Sequence, residues 1–372
     1  MKTKISDAVF ASFCATAIRM ASGNNELLPV VWFRPTTGKK PITGLEVLFV
    51  PRAPDSEKQC ALLQQIIATF RKKTGAIPAV VEVNGLGVFT LQPTDKTAGM
   101  RLRGKIAVVT GSAQGFGQGI AGLMAREGAH VVVADIQEAR ARATADKLCA
   151  EFGPWAARAI CVDVTREESI KQLCIETVLA FGGLDVLVSN AGILRAGGLD
   201  EMDIETFELV TKINYSAYFL CVKHASFYMK LQHRLNPELF MDIIQINSKS
   251  GLSGSKKNFA YAGGKFGGIG LTQSFALELI EHNIKVNAVC PGNFFEGPLW
   301  SDPQNGLFVQ YLKAGKAPEA KTIADVKRFY ENKVPMKRGC TPEDVTKAIL
   351  YVIDQTYETG QAIPVTGGQE MK

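Results

Sequence analysis

The 372-residue sequence is poor in the side chains that metal centres need. It has four histidines (His130, His224, His233 and His282), so residues 1–100 contain none. Eight cysteines (Cys14, Cys60, Cys149, Cys161, Cys174, Cys221, Cys290 and Cys340) are scattered, without a Cys-x-x-Cys pair. That pattern excludes a zinc ribbon or a disulfide framework and reads as reduced thiols in the core of a cytoplasmic protein. No metal is expected. No apolar run approaches the ~18 residues that would span a bilayer, so no membrane partner is expected. A net charge of +6 without a dense Lys/Arg block disfavours nucleic acid as a partner. Repeats and low-complexity tracts are also missing. What is present, 46% hydrophobic and 21% charged residues, is the composition of a globular protein with a full core.

The length suits one large domain and a smaller unit. Lys2 and Lys4 precede an apolar run over 8–18 that Asp7 and Arg19 bracket; an amphipathic helix is the better reading than a cleaved leader. Strands are expected over 30–33, 45–50, 79–83 and 87–91. A helix capped by Asp55 presents Leu62, Leu63, Ile66, Ile67 and Phe70 on one face. This makes residues 1–100 a small α/β unit. The polar segment 93–103 marks the boundary, and 101–372 form the second domain. From Lys105 strands alternate regularly with helices: 106–110, 130–134, 156–162, 184–188, 243–246, 284–289 and 362–365, with helices over 120–127, 137–151, 167–180, 207–232 and 259–281. Continuously apolar strands alternating with helices define an α/β, doubly wound parallel sheet.

Three stretches carry chemistry. Gly111-Ser112-Ala113-Gln114-Gly115-Phe116-Gly117 lies between a strand and a helix, where backbone amides can cradle a pyrophosphate at a helix N-terminus. Asp135 ends the next strand; a carboxylate there accepts ribose hydroxyls and repels a 2′-phosphate, so the cofactor expected is NAD. Ile136 follows it. Tyr261 and Lys265 stand one helical turn apart on the same face. An ammonium beside a phenol favours the phenolate, which would make Tyr261 an acid/base near neutral pH. Ser248 ends the strand before that helix and can hydrogen-bond the same substrate oxygen.

With Asp163-Val164 after the third strand of the second domain, Asn190-Ala191-Gly192 after the fourth, Asn214 in a long helix and Pro291-Gly292, these elements resemble the short-chain dehydrogenase/reductases over residues 104–372. The resemblance implies that Asp163 and Val164 border the adenine and that Asn190, Ala191 and Gly192 wall the cofactor site. It implies catalytic roles for Ser248, Tyr261, Lys265 and Asn214, the last through a water relay to Lys265, with Tyr261 and Lys265 also touching the nicotinamide ribose. It further implies a homodimer or homotetramer. The family often places a Thr shortly after Pro-Gly; here the run is Pro291-Gly292-Asn293-Phe294, so Asn293 or the backbone takes the carboxamide contact.

The strings 243–251, 333–340 and 365–369 resemble the polyol-phosphate branch of the family, which implies a substrate of the sorbitol 6-phosphate or fructose 6-phosphate type. Arg195, Lys249 and Lys256 are the candidate phosphate ligands. The alternatives are an unphosphorylated polyol or other secondary alcohol, or a non-catalytic NAD-binding scaffold. Residues 78–91 resemble the late part of class II aldolase domains, but those use histidine-held metal, and a remnant without a metal site is what the sequence allows. Trp300, Phe308, Tyr311, Phe329 and Tyr330 fall where the family carries a substrate lid; their helical spacing favours a core role.

Overall fold

The computed structural model describes residues 6–23, 27–35, 46–92, 99–313, 315 and 317–371. Lys2, Lys4, Leu45 and positions 93–98 of the expected boundary lie outside the described residues. The chain begins with α1 (Asp7–Ser22), β1 (Val30–Pro35), β2 (Val47–Val50), α2 (Ser56–Thr74), β3 (Val80–Val83) and β4 (Gly87–Gln92). The four strands pair in the order β1-β4-β3-β2, and the β3–β4 hairpin turns at Gly85 with φ +67°. As the sequence predicts, the Asp55 carboxylate caps α2 by accepting the Lys58 N–H at 2.8 Å.

The second part runs β5 (Ile106–Thr110), α3 (Gly115–Arg126), β6 (His130–Asp135), α4 (Glu138–Phe152), β7 (Ala157–Cys161), α5 (Glu167–Phe181) and β8 (Val186–Ser189). It continues through α6 (Ile204–Thr211), α7 (Ala217–Leu235), β9 (Met241–Ile246), α8 (Phe259–Leu279) and β10 (Ile284–Pro291). Three short helices follow, α9 (Pro298–Ser301), α10 (Leu307–Lys313) and α11 (Ile323–Asn332), then α12 (Pro342–Asp354) and β11 (Ala362–Val365). Seven parallel strands stand in the order β11-β10-β9-β8-β5-β6-β7. β5, β8, β9 and β10 are buried along their whole length because helices cover both faces; β9 and β10 nevertheless carry the buried polar residues Asp242, Gln245, Lys285 and Asn287. The order reverses between β5 and β8, and that opens a crevice at the carboxyl ends of the strands.

Two expectations need correction. Residues 207–232 are not one helix: α6 and α7 are joined by a π-turn, Lys212–Ser216. Nor is α1 amphipathic. Phe10, Ala11, Cys14, Ala15, Ala17 and Ile18 are buried, and so are Ser12, Thr16 and Arg19. The helix lies between α2 on one side and α5 and α7 on the other, so both of its faces meet protein. Ser12 Oγ donates to the Val9 carbonyl at 2.7 Å and stands 3.0 Å from the Tyr228 hydroxyl, and Thr16 Oγ1 donates to the Ser12 carbonyl. One continuous hydrophobic core takes in Phe10, Leu63 and Phe89 from the first 100 residues and Val108, Phe181 and Ile243 from the second part.

Arg19 is fully buried and pairs with Asp185, Nη1 and Nη2 reaching its two oxygens at 2.9 and 2.6 Å. The remaining donors reach the Pro29 and Gly104 carbonyls. Asp185 also accepts the Ile106 N–H and the Gln232 amide. Burial alone would raise the Asp185 carboxyl, but Arg19 and these donors hold it below its ordinary value. Its contribution to stability is therefore complete above the unfolded value of about 3.9 and is lost as pH falls through the lower folded value. Arg19→Met leaves an unpaired buried carboxylate and is expected to cost about 3–5 kcal/mol of unfolding free energy at pH 7. Urea denaturation measures this, and a cost under about 1 kcal/mol would mean that α1 does not brace the seven-stranded sheet.

Candidate active site

The crevice is built from strand ends. After β5 the chain makes the turn Gly111–Gly117. Gly111 (φ +65°) and Gly115 (φ +63°) hold backbone that side chains disfavour. A Cβ on Gly117 would come 2.2 Å from the Gly111 carbonyl oxygen, and one on Gly111 would come 2.8 Å from Ala191 Cα. Ser112 fixes the turn from below, donating to the Val109 carbonyl at 2.6 Å and accepting the Ala134 N–H. Gln114 precedes α3 without a side-chain cap, which leaves the first-turn N–H groups of Gly115, Phe116 and Gly117 available to an anion.

The neighbouring strand ends lock onto this turn. The Asn190 amide donates to the Thr110 and Gly111 carbonyls at 2.9 and 3.0 Å, and the Asn190 and Ala191 N–H groups donate to Thr110 Oγ1. Gly192 follows against Asn214, whose Oδ1 would be 2.7 Å from a Cβ there. At the end of β6 the Asp135 carboxylate accepts the Ala113 N–H and the Gln137 N–H, both at 2.9 Å. Each oxygen keeps a lone pair for a further donor. Ile136 beside it is 65% exposed. Asp163, beyond β7, accepts the Thr165 N–H and hydroxyl; burial would raise its carboxyl, but these bonds hold it low. Val164 packs against the core.

The catalytic candidates converge at β9 and α8. Asn247 bridges them, its amide donating to Gln245 Oε1 at 2.7 Å and to the Lys265 carbonyl at 2.9 Å, while its Oδ1 accepts the Ser248 N–H. This fixes Ser248, whose hydroxyl accepts the Ser250 N–H. Lys265 is buried; its ammonium donates to the Ile246 carbonyl at 2.7 Å and lies 5.5 Å from the centroid of the Tyr261 ring. Asn214 sits in the π-turn, donating to the Ile193 and Val210 carbonyls, with its Oδ1 buried and unpartnered. It packs beside α8 at Gly264. Single π-turns are frequent at functional sites.

One electrostatic expectation changes. Burial raises the Tyr261 phenol above its ordinary value, and the Ser248 hydroxyl offsets this in part. Lys265 is not among the causes; burial pushes its own ammonium down to about 8. Cys290 is buried beside them, and burial pushes its thiol up to about 11, which keeps it uncharged near neutral pH.

Pro291 ends β10, and Gly292 and Asn293 lead into the segment 294–334. The Asn293 carbonyl accepts the Cys340 N–H at 2.8 Å, which closes the two ends of that segment on each other. Phe294 stacks on Phe116 of the glycine turn, centroids 4.8 Å apart. Trp300 is the hub of a separate small core, against Phe295, Phe308, Tyr311 and Tyr330, so these aromatics are core residues of the covering segment. Of the three phosphate candidates, only Lys249 is half-buried beside Ser248. Arg195 and Lys256 are exposed, on two loops joined where the Gly197 N–H meets the Lys257 carbonyl. A cleft of about 570 Å³ lies between Gly292, Asn293, Arg338, Lys347 and the tail 364–371; neither Ser248 nor Tyr261 lines it.

A doubly wound parallel sheet with a glycine turn at its switch point and a Ser, Tyr and Lys at the neighbouring strand ends defines a nucleotide-dependent oxidoreductase. The short chain dehydrogenase family model matches residues 105–299, and the chain belongs to that family, whose members act on CH–OH groups with a nicotinamide cofactor. It is 38% identical over 270 residues to sorbitol-6-phosphate 2-dehydrogenase of Escherichia coli, covering 72% of this chain and 99% of that one. It is also similar to the crystal structure of sorbitol-6-phosphate 2-dehydrogenase from Erwinia amylovora, with 38% identity and a TM-score of 0.66 over 72% of this chain and all of that one. The NADP complex of RhlG from Pseudomonas aeruginosa gives 25% identity and a TM-score of 0.61, over 72% and 97% of the two chains.

If Tyr261 moves the proton, Tyr261→Phe lowers kcat by about a hundredfold or more. Because burial disfavours the phenolate, the wild-type rate of alcohol oxidation should climb with pH above neutrality while ketone reduction declines. Rates that stay flat between about pH 6 and 10 in both directions would remove Tyr261 from the proton transfer.

Proposed function

We propose that the chain is an NAD-dependent oxidoreductase that interconverts the secondary alcohol and the ketone of a polyol or sugar phosphate, of the sorbitol 6-phosphate and fructose 6-phosphate type. The observation that carries this reading is the convergence of Ser248, Tyr261 and Lys265 at the strand ends beside the glycine turn. The residues fit a dinucleotide: a cradle that any Cβ at Gly111 or Gly117 would fill, a helix N-terminus without a side-chain cap, and an Asp135 carboxylate with lone pairs to spare. Gly111–Gly117 would hold the pyrophosphate and Asp135 with Ile136 the adenosine. Asp163, Val164, Asn190, Ala191, Gly192, Pro291, Gly292 and Asn293 would wall the remainder.

When bound, the nicotinamide supplies the hydride acceptor or donor. The chain's own residues orient the substrate and manage the proton. Ser248, held by Asn247, donates a hydrogen bond to the reacting oxygen and stabilises charge as it develops. Tyr261 takes the hydroxyl proton during oxidation and returns it during reduction. Lys265, buried one turn further along α8, would hold the nicotinamide ribose, the other role that the family resemblance gives it. Asn214, with an unpartnered buried oxygen, would position the water between it and Lys265. The segment 294–334, latched by Phe294 on Phe116, would exclude bulk water.

Residues 1–100 would then act as a structural brace with no chemistry of their own; they contain no histidine to hold a metal. Assembly into two or four copies, the family's habit, is supported by Phe219, Phe227, Phe266 and Leu277, which stand exposed on α7 and α8.

The test is NADH oxidation with fructose 6-phosphate, with fructose and NADPH as controls. Turnover at least about tenfold better with the phosphate and with NADH is expected. Asp135→Ala should narrow the NADH preference by removing the repelling carboxylate. Equal turnover of fructose would make the enzyme a polyol dehydrogenase, and equal use of NADPH would remove the selectivity assigned to Asp135.

A further inference from the structure

Beyond β11 the C-terminal tail folds back onto the end of β10. The Gly292 N–H donates to the Val365 carbonyl at 2.9 Å, and the Gln369 N–H donates to the Thr366 carbonyl at 3.3 Å. Gly367 and Gly368 have positive φ (+62° and +88°), which lets the chain turn within this short span. Thr366 Oγ1 donates to the Glu370 carbonyl at 2.9 Å and accepts the Glu370 N–H, and the Ser253 hydroxyl donates to Glu370 Oε1. The Met336 N–H donates to the Gly367 carbonyl at 3.2 Å. Gln369 is thus held between anchored neighbours.

Its side chain reaches the backbone of Gly292: Gln369 Oε1 would stand 3.6 Å from a Cβ placed on that glycine. Gly292, Asn293 and Gln369 line one cleft, of about 570 Å³. Among the described residues, Gln369 Oε1 is a buried acceptor with no hydrogen-bond partner. Such an oxygen costs about 1–3 kcal/mol, and a donor on a ligand would remove that cost. The nearby Asn293 carbonyl, by contrast, already accepts the Cys340 N–H. A dinucleotide with its adenosine at Asp135 and its pyrophosphate at the glycine turn carries its nicotinamide toward Ser248 and the end of β10. The one hydrogen-bond donor on that ring is the carboxamide NH2.

We propose that Gln369 Oε1 accepts the carboxamide NH2 of the nicotinamide, so that the C-terminal tail supplies a cofactor ligand. The proposal rests on the reading of the crevice as a dinucleotide site and adds to it a residue from outside the strand ends. It fills the post for which the sequence offers Asn293 or the backbone. A carboxamide fixed in orientation fixes the rotation of the ring about its ribose, and with it the face that meets the substrate carbon.

The test is isothermal titration calorimetry of the full-length enzyme with NAD and two analogues. The 3-acetylpyridine analogue of NAD lacks the NH2 donor, and the thionicotinamide analogue keeps it. The wild type is expected to bind NAD and the thio analogue within about threefold of each other, and the acetyl analogue about tenfold more weakly. Gln369→Met keeps the length of the side chain without its oxygen and should bring NAD and the acetyl analogue within about twofold. Gln369→Glu retains an acceptor and should keep the preference. A Gln369→Met enzyme that still prefers NAD about tenfold would overturn the proposal, and if Asn293→Ala then erases that preference, the carboxamide belongs to Asn293 instead. Two further outcomes need no variant. A wild type that binds no dinucleotide would overturn the reading of the crevice, and the proposal with it. A wild type that binds NAD but does not distinguish it from the acetyl analogue would sink the proposal alone.

Discussion

A buried guanidinium cannot stay buried without acceptors, and the way Arg19 finds them ties the molecule together. Its donors reach Asp185 just before β8, the Gly104 carbonyl just before β5, and Pro29 before β1. Asp185 in turn receives the first N–H of β5 and an amide from α7. The two strands that flank the switch point therefore share one carboxylate at their amino ends. Burying such a pair costs desolvation that good geometry only offsets; what it secures is register. An apolar substitute would fill the space but would not specify which helix sits against which strand. The first 100 residues thus enter the structure as part of the same core, with a polar contact that fixes where they dock.

Fixing the amino ends of β5 and β8 bears on the opposite edge, where the chemistry lies. Each strand delivers one piece: the glycine turn from β5, Asp135 from β6, Asn190 from β8, Ser248 from β9 and Pro291 from β10. Side chains that bond across strand ends hold these pieces in mutual register. Asn190 spans β8 and the glycine turn, and Asn247 spans β9 and α8. An asparagine suits both posts because one planar group supplies two donors and an acceptor. Replacing either by Asp would keep the shape but put an acceptor against the carbonyls it now bonds.

Much of this was legible in the sequence because it rests on local rules. Strand-turn-helix with glycines at 111, 115 and 117 has few physical solutions, and Tyr261 and Lys265 share a helix face wherever a helix forms. The misreadings share a cause: they depend on what lies across space. The bracketing of 8–18 by Asp7 and Arg19 looks amphipathic until α5 and α7 cover the second face and Asp185 accepts the arginine. The π-turn at Asn214 leaves no mark in the apolar period. The idea that Lys265 lowers the Tyr261 phenol follows from their spacing alone, whereas the structure directs the ammonium to the Ile246 carbonyl and lets burial act on both groups. Glu370 is remote in sequence from Ser253, whose hydroxyl it accepts.

The covering segment completes the contrast between a braced base and a site that must open. Its hydrophobic residues turn inward on Trp300, so it keeps its own core whether or not it touches the sheet. Its ends are pinched together by the Asn293–Cys340 hydrogen bond, which confines displacement to a hinge. It meets the body where Phe294 stacks on Phe116, where Pro298 approaches Gly115, and where Val334–Met336 lie against the C-terminal tail. A unit with its own core loses less buried apolar area on moving than one whose residues belong to the main core. One of these contacts falls on the glycine turn that would hold the pyrophosphate.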